Sequence, residues 1–311
     1  MSTKFTAAVI QAAPVLFDLE KTLSKTDDLI GQAAEKGAKL ILFPEAYISA
    51  YPRGLSFGTV VGNRTPAGRD LWLRYWDSSI DVPGKDTARL GAMAKKAGAY
   101  LVIGVNERDQ VSGTMYCTML YFNPQGTLMG KHQKIKPTAA ERIVWGESDG
   151  STLSTFDTAL GKMGGLICWE NYMPLARMSM YQKGIQLYLA PTADSRDSWQ
   201  STLQHIALEG RCFVFGCNQY VTKSMYPKDL PGIEEINHFP DTMSKGGSVI
   251  ISPMGEVLAD PLWGSEGILT AEIDLKEVTK SKLDFDVLGH YSRNDIFKFE
   301  TINQPETVVS K

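Results

Sequence analysis

The sequence predicts an α/β fold in which mixed sheets are covered by helices, and two observations carry that prediction. Strand-like and helix-like patterns alternate along most of the 311 residues, as they do where helices pack over a parallel sheet. Hairpin signals at residues 123–126, 160–164 and 252–255 interrupt the alternation, so part of the strand pairing is antiparallel. Length alone allows one large domain or two average ones. No linker or low-complexity stretch divides the chain, which is therefore read as one domain.

The elements follow in order. Residues 7–10 read as a strand. A helix comes next, with Leu19, Leu23, Ile30 and Ala33 on one face, Asp18 as its cap and Gly37 at its end. Residues 40–43 form a buried strand. A second helix carries Leu90, Met93, Ala94 and Ala97, stops at Gly98 and leads into a strand at 100–105. A third helix starts after Pro174, stops at Gly184 and precedes a strand at 186–190. Trp199, Thr202, Leu203, Ile206 and Ala207 make the clearest helical face, the spacing a sheet-covering helix needs. In the strand at 212–217, Cys212 and Cys217 lie five apart and face opposite sides. Three stretches fit no period: 51–82, rich in Gly, Arg and aromatics; 222–243, with three prolines; and the tail after about residue 275. They are expected to be surface loops and a partly disordered end, with the aromatics of the first as a contact surface.

Composition excludes several function classes. A net charge of −3 with no dense basic run speaks against nucleic-acid or anionic-membrane partners. The N-terminus lacks the apolar core of a signal peptide and no window approaches a membrane span, so the cytoplasm is the expected compartment. Four cysteines in a chain this long make no disulfide framework. The histidines are scattered without metal-site spacing, so neither a metal nor another cofactor is expected.

Candidate reactive residues are ambiguous when taken singly. Cys168 closes the short apolar run Leu166-Ile167 just before Pro174 and a helix. A thiol there can be presented to a pocket, although burial in the core is the commoner fate of a cysteine. Glu45 sits in the turn that Pro44 makes after an apolar run, where a lone glutamate is ordinarily solvated. Lys134 lies in a basic stretch, 131–137, with His132 on the same face by period two. Glu141 starts a helical turn or pairs with Arg142 in solvent, and Tyr51 and Trp169 read equally as core aromatics. Gly146-Glu147-Ser148-Asp149-Gly150 matches the nucleophile elbow of serine hydrolases but lacks its strand and helix, and is read as a turn.

Taken together, the motifs resemble the nitrilase branch of the carbon–nitrogen hydrolase superfamily over nearly the whole chain. They are Phe43-Pro44-Glu45-Ala46, Tyr51-Pro52-Arg53-Gly54, His132-Gln133-Lys134-Ile135-Lys136-Pro137-Thr138, Glu141-Arg142, Cys168-Trp169-Glu170-Asn171 and Ala190-Pro191-Thr192-Ala193-Asp194. The resemblance implies a four-layer αββα sandwich. It makes Cys168 the nucleophile, Glu45 the general base and acid, Lys134 the stabiliser of tetrahedral intermediates, and Glu141 a second glutamate that orients the lysine. Tyr51, Ala140, Trp145, Trp169 and Ala193 are the expected pocket wall. The implied reaction turns a small-molecule nitrile into a carboxylic acid and ammonia. An amidase or a cyanide-degrading relative would use the same residues, and a catalytically silent binding or assembly module is the reading from another class. Asn171 stands where cyanide-degrading relatives more typically carry His. The resemblance also implies dimers, and larger spirals built from them, with a hydrolase domain at 1–275 and a C-terminal extension at 276–311 that makes oligomer contacts.

Overall fold

The computed structural model describes residues 3–302. The chain opens with β1 (Lys4–Gln11), α1 (Leu19–Glu35), β2 (Ala38–Leu42), β3 (Thr59–Val60), β4 (Asn63–Arg64) and α2 (Pro66–Asp77). It continues through β5 (Ile80–Asp81), α3 (Lys85–Ala97), β6 (Tyr100–Arg108), β7 (Met115–Phe122), β8 (Leu128–Gln133), β9 (Thr155–Thr158) and β10 (Gly161–Gly165). The second half holds α4 (Pro174–Gln182), β11 (Leu187–Pro191), α5 (Ser198–Gly210), β12 (Phe213–Cys217) and β13 (Tyr220–Thr222). It ends with β14 (Thr242–Ile251), β15 (Val257–Trp263), β16 (Gly267–Asp274) and α6 (Lys276–Ser281).

Two seven-stranded sheets result. One runs β16-β1-β2-β6-β7-β8 with β5 beside β6, the other β13-β14-β12-β11-β10-β9 with β15 beside β14. β1, β2 and β6 are parallel to one another, as are β10, β11 and β12. The hairpins and the closing strands pair antiparallel, which makes both sheets mixed, as the sequence predicts.

Period-two alternation sorts the strand side chains into three cores. Val9, Leu40, Leu42, Val102, Leu187, Leu189, Phe213 and Phe215 meet between the sheets. Their neighbours Ala8, Ile10, Ile41, Leu101 and Ile103 face the other way, against Leu23, Ile30 and Ala33 of α1 and Leu90 and Ala94 of α3. On the second sheet Tyr188, Ala190 and Val214 lie under Met180 of α4 and Trp199, Leu203 and Ile206 of α5. The order helix, sheet, sheet, helix is the αββα sandwich. Each fully buried Leu or Ile contributes roughly 1.5–3 kcal/mol, and central strands buried on both faces explain the nearly continuous apolar runs. Cys217 lies in the inter-sheet core and Cys212 under the helices, on the opposite faces that their spacing predicts.

Local signals set the helix ends. The Asp18 side chain accepts the Lys21 N–H at 3.0 Å, capping α1, and Gly37 and Gly98 take the left-handed conformation after α1 and α3. The expectation of an irregular loop over 51–82 is corrected: the segment contains the β3–β4 pair and all of α2. Thr65 accepts the Gly68 N–H at 3.1 Å, Pro66 takes the first helical position, and Leu71 and Tyr75 turn into the inter-sheet core. With so few core-facing residues among many aromatics, α2 leaves only a weak period. Residues 222–243 contain the short helical turns Lys223–Met225 and Ile233–His238. Of the tail, α6 and the stretch to residue 302 are described; the rest of the expected disordered end lies outside the described residues.

At one point two segments of backbone nearly touch. The turn at Glu45 crosses directly over β6 at Gly104. A Cβ there would lie 2.2 Å from the Pro44 carbonyl oxygen and 2.8 Å from the Glu45 Cα. Gly104→Ala is therefore expected to lower stability by about 1–3 kcal/mol and to displace the Glu45 turn, cutting activity further than unfolding accounts for. Urea unfolding and turnover measured on the same preparation check this; an alanine variant with both values unchanged would show that the crossing has slack.

Candidate active site

Four segments bring reactive side chains to one place, each directly after a strand. Pro44 ends the run that follows β2, and the turn is pinned to β6 by Ile48 N–H donating to Gly104 O at 3.0 Å. The Gln219 amide also donates to the Glu45 carbonyl at 2.9 Å. Lys134 follows β8, its N–H donating to Cys117 O at 2.8 Å. Cys168 follows β10 and Leu166-Ile167, and opens the helical turn Cys168–Tyr172 that leads into α4. Its φ of 53° lies in the left-handed region, which disfavours a residue with a Cβ by roughly 1–2 kcal/mol. The Asn171 amide holds that turn, donating to the carbonyls of Leu166 at 3.0 Å and Cys168 at 2.8 Å, while Tyr188 OH donates to its oxygen at 2.8 Å. Thr192 follows β11 and donates its hydroxyl to Cys168 Sγ at 3.2 Å.

At the centre, Lys134 Nζ donates to Glu45 Oε1 at 2.6 Å and to Glu141 Oε2 at 2.7 Å. Glu141 sits in the helical turn Ala139–Ile143, where it also accepts Thr138 N–H at 2.6 Å and Tyr51 OH at 2.7 Å. Glu45 accepts a long hydrogen bond from the Cys117 thiol at 3.6 Å. Its other oxygen, Oε2, is buried with no hydrogen-bond partner among the described residues, which leaves it open to a proton.

Burial opposes the Lys134 charge, but Glu45, Cys168 and Glu141 outweigh it and hold the ammonium well above the usual lysine range. Burial lifts the Glu45 carboxyl above its ordinary value, opposed by Lys134 and reinforced by Glu141. Burial also pushes the Cys168 thiol up to about 12, with Glu45 adding to the rise and Lys134 and the Thr192 hydroxyl opposing it. The cluster thus holds a protonated amine, a carboxylate more basic than usual and a neutral thiol that yields its proton only to a base.

Cys168 opens onto a cavity of about 250 Å³ whose wall includes Tyr51, Glu141, Trp169, Ala193, Asp194 and Arg53. Arg53 donates to the Ala193 carbonyl and lies 5.1 Å from the Tyr51 ring centre. Trp169 donates its indole N–H to Asp194 at 2.8 Å, with Arg196 over its ring. Tyr51, Trp169 and Ala193 therefore stand where the pocket wall was expected. Ala140 lines an adjoining cavity of about 200 Å³ with Leu55, Phe57, Ile143 and Val144. Trp145 is not on the wall: it is buried behind it, packed edge-on against Tyr51 with Lys134 Nζ 5.7 Å from its ring.

Residues 6–282 match the carbon–nitrogen hydrolase family. The chain belongs to the carbon–nitrogen hydrolases. An aliphatic nitrilase of Sinorhizobium fredii is 51% identical over 308 residues, 99% of this chain and 98% of that protein. A bifunctional nitrilase/nitrile hydratase of Nicotiana tabacum is 52% identical over 93% of this chain and 84% of its own length. In fold, a carbon–nitrogen hydrolase of Helicobacter pylori matches with a TM-score of 0.73 at 22% identity, over 95% of this chain and 97% of that one.

Sequence reasoning about this hydrolase singled out neither Thr192 nor Asp194 for the site, and it used Asn171 and Glu170 only as markers of a branch. The strand-end position of Thr192, after the apolar run of β11, is the same signal that pointed to Cys168. Thr192 Oγ also accepts the Asp194 N–H at 2.9 Å, which directs its own proton to the sulfur. Thr192→Val keeps the shape and removes both that donor and the acceptor of the Asp194 N–H. A hydrogen bond to a charged group is worth about 1.5–3 kcal/mol, so kcat/KM of the folded protein is expected to fall roughly tenfold to a hundredfold, while the unpaired Asp194 N–H lowers the thermal midpoint. Steady-state kinetics beside a melting curve decide it; wild-type kinetics would exclude the hydroxyl from holding the sulfur.

Proposed function

We propose that this chain hydrolyses organic nitriles to the carboxylic acid and ammonia, with Cys168 as nucleophile. The observation that carries this is the buried Lys134–Glu45 pair at 2.6 Å beside a thiol that opens onto a cavity of about 250 Å³. Glu45 takes the thiol proton as the sulfur bonds to the nitrile carbon, and the nitrogen receives a proton from Glu45, giving a thioimidate. Water then adds to that carbon with Glu45 as base. The C–N bond breaks, ammonia leaves and a thioester remains. A second water cleaves the thioester, releasing the acid and the thiol.

In this reading Lys134 and the backbone N–H of Trp169 hold the negative charge of the tetrahedral intermediates. The first N–H groups of a helical turn have no partner within it, and each such donor is worth about 3–4 kcal/mol. Glu141, fixed by Tyr51 and Thr138, orients the lysine. Tyr51, Trp169 and Ala193 border the reacting group, and the cavity beside Ala140, with Leu55, Phe57, Ile143 and Val144 on its wall, gives room for the organic substituent. Trp145 supports Tyr51 and Lys134 from behind.

The names of the Sinorhizobium and Nicotiana relatives support a nitrile as substrate. We further read 276–311 as an extension of the 1–275 hydrolase domain through which copies associate as dimers or larger assemblies. Leu283, Phe297 and Ile302 of its described part are exposed apolar side chains, as is Leu175 of α4. All four cysteines are free thiols, in keeping with a reducing compartment such as the cytoplasm.

Cys168→Ala is expected to reduce ammonia release from nitriles by at least roughly a thousandfold while the protein stays folded. Retained wild-type release would end the proposal. Running matched nitriles and amides through the same assay, with acid and amide products quantified, separates a nitrilase from an amidase: an amidase acts on the amides alone.

A further inference from the structure

Lys134 and Cys168 follow β8 and β10, which belong to different sheets. No strand ladder therefore fixes the distance between the ammonium and the thiol. A buried side chain does span the gap. Glu170 Oε1 accepts the N–H of Ile135, the residue after Lys134, at 2.6 Å. Its Oε2 accepts the N–H of Ile167, the residue before Cys168, also at 2.6 Å. We infer that Glu170 is a positioning residue for the reaction, a single carboxylate that ties the lysine segment to the cysteine segment and sets how the two reactive groups face each other.

The inference rests on the roles proposed above for Lys134 and Cys168. His132 of β8 completes the carboxylate's surroundings, its Nε2 lying 2.9 Å from Oε2 and its Nδ1 3.3 Å from Thr152 O. The Glu170 side chain is 0% exposed. Burial works against its charge, but His132 and the two backbone donors outweigh burial and hold the carboxyl below the usual range. An ionised carboxylate is what the tie requires, since it can accept from both amides at once. Glutamine has the same shape but one acceptor oxygen, so whichever way its amide turns, one of the two backbone N–H groups faces an NH₂. Aspartate keeps both oxygens but is one methylene too short to reach both segments.

The test uses the full chain with Glu170→Gln and Glu170→Asp. Turnover of a nitrile, the rate at which iodoacetamide labels Cys168 at fixed pH, and the thermal midpoint are measured on the folded fraction of each. Misplacement on the ångström scale costs up to about a hundredfold in rate. In both variants kcat is expected to fall tenfold or more with KM within about twofold, and labelling is expected to slow as the ammonium leaves the thiol. A residue that only supports the fold would lower the midpoint and leave kcat and labelling within twofold of wild type in the folded fraction; that result overturns the inference. The labelling arm needs no substrate, so it still reads the Lys134–Cys168 geometry if the wild-type chain turns over no nitrile.

Discussion

The ammonium of Lys134 is fully buried, and the surrounding structure answers to that charge. An unpaired ion at such depth costs several kcal/mol, a cost offset here by Glu45 at 2.6 Å and Glu141 at 2.7 Å. Each carboxylate is held in turn, Glu141 by Tyr51 and the Thr138 amide, Glu45 through the Gln219 amide on its own backbone. Because the three charges come from different segments, satisfying one amine fixes three pieces of chain. Removing the amine would leave both buried carboxyl groups without their cation, so the positions of the two acids depend on Lys134.

The fold makes that convergence possible by ending its strands in one region. Glu45, Cys168 and Thr192 follow β2, β10 and β11, all members of the parallel sets. In open α/β sheets the space beyond the carboxyl ends of such strands is where chain turns away and a cavity is left. Two sheets packed face to face bring two sets of strand ends together, so residues far apart in sequence share one wall. The cost is that the sheets' own hydrogen bonds say nothing about spacing across the gap. A side chain such as Glu170 must supply it, here by accepting from the backbone of both segments, with His132 beside it.

This division also explains what was legible in the sequence. The central strands read clearly because both faces are apolar, and α1, α3 and α5 read clearly because each buries one regular stripe. Cys168, Glu45 and Lys134 stood out by motif, yet no local pattern distinguished them from a core thiol, a solvated carboxylate and a basic run. α2 was missed since Leu71 and Tyr75 are nearly its whole buried face. Trp145 was misplaced on the pocket wall because proximity to Glu141 in sequence does not say which side of Tyr51 it occupies. Glu170 and Thr192 act through partners 35 and 24 residues away, a relation that periodicity cannot carry.

The charge balance bears on the chemistry as well. Two carboxyl groups, Glu45 and Glu141, face one ammonium, and a thiolate beside them would add a further negative charge. Burial is the largest reason Cys168 is pushed up to about 12, and Glu45 adds to the rise, whereas a thiol beside a lone cation is lowered. A neutral resting thiol is a poor target for oxidants and for electrophiles that do not fit the cavity, because the thiolate is the reactive form. It becomes a nucleophile only while Glu45 removes its proton and an electrophilic carbon accepts the electron pair. The negative charge then leaves the crowded sulfur for the substrate nitrogen, which Glu45 can protonate at once. Burial and the neighbouring carboxyl groups thus disfavour a standing thiolate, so removal of the thiol proton and formation of the S–C bond are drawn into one step.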